Sequence, residues 1–544
     1  MGRWSWVLLV VLAGCAVQEA PVYRPVYQPK RTQEPEIRVG LLWGASAVEF
    51  SMNRTGRIVT DDGTFITRGR WGHRWRAEIK SSTPTRFVYR LAAASSSTRE
   101  GAQSLAGEIE RKGFDVVIEQ EGDVLRVGRT TLSESQKFRV YLQKAFTNRE
   151  DAETYRDSVW NRLETFIVRS KAQRARGILL LKNLQTGQGF ESTRPVRIVG
   201  TPVTVYDVPV GTGFHWETME TRSYPETICI QLDNEGKLAI INTLSFEEYL
   251  RGVVPSEMPE GFPSEALKAQ AIAARGEILS KWGRIHMDDP FDVCADVHCQ
   301  VYSGMTKKAS STDRAVQRTR GLVMWKDGMI AEAVYSSVCG GHGEDNQNAW
   351  GGQPKSYLQG RFDGSENLQR YGSLTDETNL RRWIDDDPPA YCNTTGDGGP
   401  PALDFTKKYF RWEVRYTQDE LRRILQDKTG RDVGAVQDLV PLKRGSSGRI
   451  IRLKVVGTQG EFVLEPELNI RKALSSNTLW SSCFYVQKEG RWSQAPGLFI
   501  LKGAGFGHGV GMCQTGAAMM ALQGHRFDQI LTHYYKGVRL RRLY

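Results

Sequence analysis

Glu257 is the residue of this 544-residue chain whose neighbours best suit acid catalysis. It stands between Val-Val-Pro at 253–255 and Met-Pro at 258–259. Apolar neighbours disfavour the charged form of a carboxyl group, so we expect the pKa of Glu257 to rise toward that of a general acid. The flanking prolines predict a non-helical loop here. Taken alone, a glutamate in such a setting is more often a turn carboxylate that is bonded to backbone amides.

A second cluster has the side chains that bind metals. His286, Cys294, His298 and Cys299 form the pattern H-x7-C-x3-H-C. Two thiolates and two imidazoles suit a closed tetrahedral zinc site, while a disulfide or free thiols are the alternatives. Cys339 and His342 are a further pair of possible metal ligands, but we interpret them as part of a cleft motif.

A glycine-rich segment at 503–511 follows a predicted strand at 498–502 and precedes a predicted helix. Phosphate loops share this setting, but the segment has neither G-x-G-x-x-G nor a terminal Gly-Lys-Ser/Thr, so nucleotide binding is not indicated. Its glycines would let the backbone approach a sugar or another loop closely. His508 in this segment could bind substrate, orient Glu257 or serve as a structural hydrogen-bond donor.

A long helix is predicted directly after Glu257. Pro263-Ser264 marks its start, with Ser264 as the N-cap, and the pattern ends near Gly283. Apolar residues at helical spacing predict one buried face, formed by Leu267, Ala271, Ala274 and Ile278.

Several long motifs resemble the SpoIID/LytB family of sporulation proteins, in the same order. The first two are EYLRGVVPSEMP at 248–259 and EALKAQAIAAR at 265–275. The others are YSSVCGGH at 335–342 leading to Trp350-Gly351, SGR at 447–449, GFGHGVGMCQTGA at 505–517 and ILTHYYKGV at 530–538. The resemblance covers about residues 177 to 544, with 36–75 as the first strands of the same domain.

The resemblance implies a peptidoglycan lytic transglycosylase that cuts between N-acetylmuramic acid and N-acetylglucosamine and leaves a 1,6-anhydro end. The family's catalytic glutamate corresponds to Glu257, which would protonate the leaving oxygen and then accept the proton of the sugar's own C6 hydroxyl. The alternative is a non-cleaving amidase enhancer that stimulates an autolysin. Substrate-binding candidates are His508, Tyr335, Ser337, Gln514 and Arg275.

The resemblance also bears on the metal, because some family members carry a similar His/Cys cluster that binds zinc and others lack it. That pattern implies a structural zinc ion beside the active site, held by His286, Cys294, His298 and Cys299, and no cofactor for catalysis.

An internal repeat lies between the first strands and the main domain. Residues 97–102 (STREGA) match 147–152 (TNREDA) at an offset of 50. Each copy is predicted to form a β-α-β unit, with strand-like runs at 87–91, 115–119, 138–142 and 165–169. The pattern resembles the SPOR repeat, whose family binds peptidoglycan glycan strands, and is equally compatible with a purely structural insertion.

The amino terminus indicates export. Met1 to Cys15 reads as one cation, an apolar run and small residues, and its end resembles a bacterial lipobox with Cys15 as the lipidated residue. An ordinary cleaved signal peptide is the alternative. The proline-containing residues 16–35 would then tether the protein to the periplasmic face of a membrane, which would be the outer membrane in a diderm cell.

Composition excludes several classes of protein. The chain is 40% hydrophobic, so it is not disordered throughout, and beyond the first dozen residues no run approaches the roughly 20 apolar residues of a membrane-spanning helix. A net charge of +11 favours contact with a polyanion, but the basic residues are scattered, so no nucleic-acid partner is predicted. The predicted partners are glycan strands, a membrane through the lipid and a cell-wall amidase.

These patterns predict an α+β fold with a mixed, largely antiparallel β core and a buried helix in the catalytic region. The predicted domains are a signal peptide at 1–15, a tether at 16–35, first strands at 36–84, two SPOR-like repeats at 85–172 and the catalytic domain at 177–544.

Overall fold

The computed structural model describes residues 34–122, 124–127, 130–134, 136–212, 217–364, 369–386, 388–396, 400–490 and 495–544. Cys15, the predicted signal peptide and nearly all of the predicted tether lie outside these ranges. Within them, no helix has both the length and the apolar character needed to cross a membrane.

The body of the protein, which is the chain outside the insertion at residues 84–175, begins with two β-sheets. Each sheet contains strands that precede the insertion and strands that follow it. The five strands before the insertion are β1 (Glu36–Ala45), β2 (Ala47–Met52), β3 (Gly56–Thr60), β4 (Phe65–Gly69) and β5 (Arg74–Thr83).

The insertion contains the two predicted β-α-β units. Its elements are β6 (Arg86–Ser96), α1 (Arg99–Arg111), β7 (Val116–Glu121), β8 (Val124–Val127), β9 (Thr130–Glu134), β10 (Lys137–Phe146), α2 (Arg149–Val159) and β11 (Phe166–Gln173). Thr98 and Asn148, which occupy equivalent positions in the repeat, cap α1 and α2. The sheet has the order β11-β6-β10-β7 and is antiparallel throughout, as in a split β-α-β fold.

The body resumes with seven strands: β12 (Arg176–Asn183), β13 (Gly189–Ser192), β14 (Val196–Val199), β15 (Val203–Val210), β16 (Thr218–Tyr224), β17 (Thr227–Leu232) and β18 (Leu238–Ser245). One sheet has the order β13-β12-β5-β2-β15-β16. The other, completed by β19 (Val293–Cys294), has the order β19-β1-β18-β17-β14-β3-β4. Buried side chains of both sheets join one hydrophobic core, which Val127 of the insertion also enters.

Helices and short strands follow: α3 (Phe246–Glu257), α4 (Ser264–Lys281), α5 (Ser310–Arg318), β20 (Leu322–Lys326), β21 (Met329–Ile330), β22 (Tyr335–Ser336), α6 (Asn346–Trp350), α7 (Glu377–Asp385) and α8 (Lys407–Phe410). The predicted helix start is wrong by one position, because Pro263 is the N-cap and Ser264 is the first helical residue. The predicted apolar face of α4 is buried, but so are Gln270, Arg275 and Glu277, since other helices and β20 surround α4.

The C-terminal part adds two small sheets around a second core. Its elements are β23 (Arg411–Thr417), α9 (Gln418–Thr429), β24 (Val436–Arg444), β25 (Ile450–Gly457), β26 (Gly460–Leu464), α10 (Glu467–Ala473), β27 (Phe484–Glu489), β28 (Leu498–Ala504), β29 (Met512–Cys513), α11 (Gln514–Leu522), α12 (Phe527–Tyr534) and β30 (Arg539–Arg542). The sheet orders are β23-β28-β27 and β24-β25-β26.

Two further strand pairings connect the C-terminal part of the chain to the body. β30 pairs with β20, and β29 runs parallel to β22. Nearly all strand pairs in the described part are antiparallel, and helices pack beside them, which confirms the predicted α+β class.

Candidate active site

The residues that the sequence analysis placed in a cleft meet at one groove. A cavity of about 790 Å³ and an adjoining one of about 290 Å³ share Glu257, Tyr335, Arg471 and His508 in their walls. The end of α3, β22, α10 and the glycine-rich segment after β28 bring these side chains together.

Glu257 is the last residue of α3, so the predicted loop position is wrong. The helix continues through Pro255, which lies two residues before its end. Burial raises the pKa of the Glu257 carboxyl to about 7, although hydrogen bonds from the Val301 amide and the Tyr335 hydroxyl oppose the rise. The Val301 nitrogen lies 3.2 Å from Oε1 of Glu257.

A chain of hydrogen bonds orients the Tyr335 hydroxyl toward Glu257. The Gln300 amide nitrogen donates to the Tyr335 oxygen over 3.1 Å, so the phenolic proton stays available for the carboxylate. The Tyr249 hydroxyl in turn donates to the Gln300 carbonyl oxygen over 3.2 Å. This network holds the Tyr335 hydroxyl beside the Glu257 carboxyl group.

Gln514 positions Glu257 through the backbone. Its side-chain nitrogen donates to the Glu257 carbonyl oxygen over 3.1 Å and to the Gln270 side-chain oxygen over 3.3 Å. Gln514 also lines the smaller cavity, where the half-buried Ser337 lies beside it. Both predicted substrate-binding residues therefore reach the groove.

His508 is held as a neutral ring. Burial and the charges of Arg449 and Arg471 lower its pKa to about 3. Its Nδ1 accepts a hydrogen bond from the Val510 nitrogen over 3.0 Å, which leaves the proton on Nε2. The ring packs against Trp350, whose side chain is 55% exposed and also lines the groove.

Arg275 does not line the groove, so its predicted role in substrate binding is wrong. Its guanidinium is fully buried in α4 and forms two hydrogen bonds, of 2.9 and 2.8 Å, to the Glu247 carboxylate. Its third bond goes to the Leu322 carbonyl. A fixed bidentate pair of this kind connects α4, α3 and β20 rather than binding a ligand.

The predicted metal ligands converge beside the groove. The ligand atoms of His286, Cys294, His298 and Cys299 all lie within 4.8 Å of one another. His286 Nε2 is 3.3 Å from the Cys299 sulfur, while its Nδ1 is 2.8 Å from a carboxylate oxygen of Asp289. A carboxylate on the far ring nitrogen is the usual partner of a metal-binding histidine, so the donor set fits zinc.

Comparison with known proteins assigns the chain to a family. Residues 234–325 match the family model described as stage II sporulation protein. A stage II sporulation protein D of Bacillus amyloliquefaciens is 29% identical over 314 residues, which are 55% of this chain and 74% of that protein. An amidase enhancer of Bacillus subtilis is 28% identical over 314 residues, which are 54% of this chain and 40% of that protein. These matches support the assignment of the chain to the SpoIID/LytB family.

The chain also resembles other proteins and domains. Residues 344–511 match a domain of unknown function, DUF8618. An uncharacterised protein of Brachyspira hyodysenteriae is 28% identical over 305 residues, 55% of this chain and 68% of that protein. The peptidoglycan binding domain of the B. subtilis cell wall lytic enzyme CwlC aligns with 16% of this chain at 20% identity, with a TM-score of 0.12 that is too low to indicate a shared fold.

The groove of this SpoIID/LytB protein lies between both matched regions, since Glu257 belongs to the first and His508 to the second. Sequence reasoning missed Gln300, Val301 and Arg471. Gln300 and Val301 directly follow the metal motif, and that adjacency is the signal that could have indicated them. Arg471 carried no such signal.

Proposed function

We propose that this SpoIID/LytB chain is a peptidoglycan lytic transglycosylase that cuts between N-acetylmuramic acid and N-acetylglucosamine and leaves a 1,6-anhydro end. The observation that carries the proposal is the state of Glu257, a groove carboxyl whose pKa is about 7. Such a group holds a proton near neutral pH and can donate it.

The other acidic side chains that line the groove form ion pairs with lysine or arginine. The pairs are Glu277 with Lys281, Glu332 with Lys355, and Glu467 with Arg471. Among the described residues that line the groove, Glu257 is the acid with no cationic nitrogen within 4.0 Å.

One acid suffices if the nucleophile belongs to the substrate. Protonated Glu257 gives its proton to the glycosidic oxygen as the bond from that oxygen to C1 of N-acetylmuramic acid breaks. The C6 hydroxyl oxygen of the same sugar bonds to C1, and its proton passes to the Glu257 carboxylate. The reaction regenerates the acid and needs no water molecule, whereas ordinary glycosidases require a second carboxylate.

Three side chains are suited to hold the glycan. Trp350 presents an exposed aromatic face on which a sugar ring can stack. Neutral His508 can donate a hydrogen bond to an acetamido or hydroxyl oxygen, and Arg471 can bind a carboxylate of the substrate. Tyr335 acts on Glu257 itself, through the hydrogen bond that orients the acid.

The test is cleavage of purified glycan strands stripped of stem peptides, with products identified by mass spectrometry. The full chain should release anhydro-disaccharides, and Glu257→Gln should reduce the rate by at least about a hundredfold, because an amide cannot donate the proton. Glu260→Gln is the matched control, since Glu260 is an exposed acid three residues away and should keep wild-type activity. Retained activity in Glu257→Gln would place the acid elsewhere.

A second candidate function is that of an amidase enhancer, which the relative of that name supports. In this case the chain would bind the wall and stimulate an amidase. No anhydro product would form, but a cell-wall amidase would release stem peptides faster when the chain is present. Sacculi that keep their stem peptides are the substrate for this second test, whereas denuded strands test glycan cleavage, so the two assays together separate the two functions.

We further propose that the chain is exported and anchored through a lipid on Cys15, which would place the groove close to the wall. Incorporation of a labelled fatty acid into wild type, and its absence from Cys15→Ser, would support the anchor. Cell fractionation of both proteins would show whether the membrane association depends on it.

A zinc ion held by His286, Cys294, His298 and Cys299 is also part of the proposal. When bound, the ion would cross-link the loop after α4 to β19. The segment after β19 continues directly from Cys299 into Gln300 and Val301. Gln300 contacts Tyr335, and Val301 contacts Glu257. The metal would therefore stabilise the groove without taking part in bond cleavage.

A further inference from the structure

A second group of metal-binding side chains lies in the core, away from the His/Cys motif. The ligand atoms of Cys339, Asp363, Cys392 and Cys513 all lie within 4.8 Å of one another. The four residues are between 0 and 4% exposed. The sequence offered His342 as a second ligand beside Cys339, and this pairing is wrong. His342 is not in the cluster, and its ring faces the Gly343 carbonyl instead.

The spacing of the four groups is that of a tetrahedral site. The Cys339 and Cys392 sulfurs are 3.5 Å apart, and the Cys339 sulfur is 3.1 Å from Oδ2 of Asp363. With zinc–sulfur bonds of about 2.3 Å, tetrahedral angles put two ligand sulfurs about 3.8 Å apart. The separation of the Cys339 and Cys392 sulfurs is a few tenths of an ångström below that value, and no pair of ligand atoms in the cluster is more than 4.8 Å apart.

The surroundings suit deprotonated ligands. The Cys513 sulfur accepts hydrogen bonds from the Cys339 and Gly516 nitrogens, over 3.2 and 3.4 Å. Cys513 is also the N-cap of α11, where the helix dipole favours negative charge. Oδ1 of Asp363 accepts a hydrogen bond from the Tyr534 hydroxyl over 2.7 Å, which leaves Oδ2 directed to the sulfurs.

We propose that Cys339, Asp363, Cys392 and Cys513 hold a divalent zinc ion as a second, structural metal site. Three sulfurs and one carboxylate oxygen are donors that zinc accepts in closed four-coordinate sites. Binding releases the thiol protons, so the affinity falls at low pH. A disulfide between Cys339 and Cys392 is the competing outcome, but it would leave Cys513 and Asp363 without a shared partner.

The site would cross-link the segments that carry the groove. Cys339 follows β22, and Cys513 is the second residue of β29, which pairs with Ser336 of β22. Tyr335 begins β22, and Gln514 directly follows β29, so both flank the cluster in sequence. The ion would thereby fix the two strands that place Tyr335 and Gln514 around Glu257.

The experiment measures zinc in the full chain, purified under reducing conditions with zinc present and then freed of loosely bound ion. We expect two zinc ions per chain in wild type if both clusters are filled. Cys392→Ser should lose one equivalent. Cys483→Ser is the matched control, because Cys483 is equally buried but belongs to neither cluster. These counts do not depend on lytic activity, so the metal proposal and the enzymatic proposal can fail separately.

A second variant tests the site if Cys392→Ser does not fold. Cys294→Ser combined with Cys299→Ser removes the thiolates of the His/Cys motif and leaves the buried cluster intact. When loaded with cobalt, this variant should still show thiolate-to-metal charge transfer and the visible bands of tetrahedral cobalt. Loss of all such absorption, unchanged zinc in Cys392→Ser, or a Cys339–Cys392 disulfide in the zinc-replete chain would each overturn the proposal.

Discussion

The ionisation of Glu257 sets the expected pH dependence of the proposed reaction. Only the protonated acid can start the cleavage, and the pKa of Glu257 is about 7 because burial disfavours its charge. We expect the rate on denuded glycan to be constant at mildly acid pH and to fall about tenfold per pH unit above about 7. His508, whose pKa is about 3, should add no further transition near neutrality. A descending limb near pH 4.5 would contradict this assignment.

The same raised pKa costs stability at neutral and alkaline pH. A proton binds Glu257 more tightly in the folded than in the unfolded chain, so the stability gain is complete below about pH 4.5 and is lost as the pH rises through about 7. Glu257→Gln carries no charge, and we expect it to raise the free energy of unfolding at pH 8 by about 1 to 3 kcal/mol.

Urea unfolding at pH 4 and pH 8 would check this expectation, because the difference between wild type and variant should be small at the lower pH. A Glu257→Gln variant that is less stable than wild type at pH 8 would contradict it.

Single residues show what the sequence could establish. The apolar setting of Glu257 was visible at 253–259, and the raised pKa agrees with it. Its place at the end of α3 was not visible, because prolines at 255 and 259 also suit a loop. The buried bond between Arg275 and Glu247 depends on a contact 28 residues away in sequence, which no local pattern indicates.

At the scale of elements, the pairing of β22 with β29 depends on glycine. Gly511 has a φ of 73°, and a Cβ there would lie 2.0 Å from the Val334 carbonyl oxygen. We expect Gly511→Ala to lower the free energy of unfolding by about 3 kcal/mol or more, since the side chain adds a clash to backbone strain. Tyr335 and Gln514 would also shift, so glycan cleavage should fall.

Gly524→Ala is the matched control, because Gly524 has a φ of 89° but no atom within 4 Å of its Cβ position. Strain alone should cost this variant about 1 to 2 kcal/mol. Equal losses for Gly511→Ala and Gly524→Ala in urea unfolding would show that the close approach to Val334 does not matter.

Elements with local signals were predictable, and elements made by distant contacts were not. The repeat at 97–102 and 147–152 predicted two β-α-β units, and both are present with their caps at Thr98 and Asn148. The buried cysteine cluster was missed because its members are far apart in sequence, and Cys513 follows Cys339 by 174 positions. Its convergence depends on the long-range pairing of β22 with β29.

At the scale of the whole molecule, the insertion is a separate unit, and segments of the body precede and follow it in the sequence. It has its own core between sheet and helices. It leaves the body after β5 and returns at β12, where Thr83 and Arg176 are paired across adjacent antiparallel strands. Two such residues can be joined directly by a two-residue hairpin turn.

Replacing residues 84–175 by Asn-Gly should therefore give a folded protein. The change removes Val127 from the main core, so we expect a loss of roughly 2 kcal/mol, the worth of one buried valine. None of the described residues that line the groove around Glu257 belongs to the insertion, so cleavage of soluble denuded glycan should continue at the wild-type rate. The resemblance of the repeats to glycan-binding SPOR repeats predicts that wall binding falls severalfold when they are removed. Cosedimentation with purified sacculi measures that binding, while cleavage of soluble strands serves as the internal control. Unchanged sedimentation of the shortened chain would make the repeats a structural insertion and leave attachment to the wall to the groove itself.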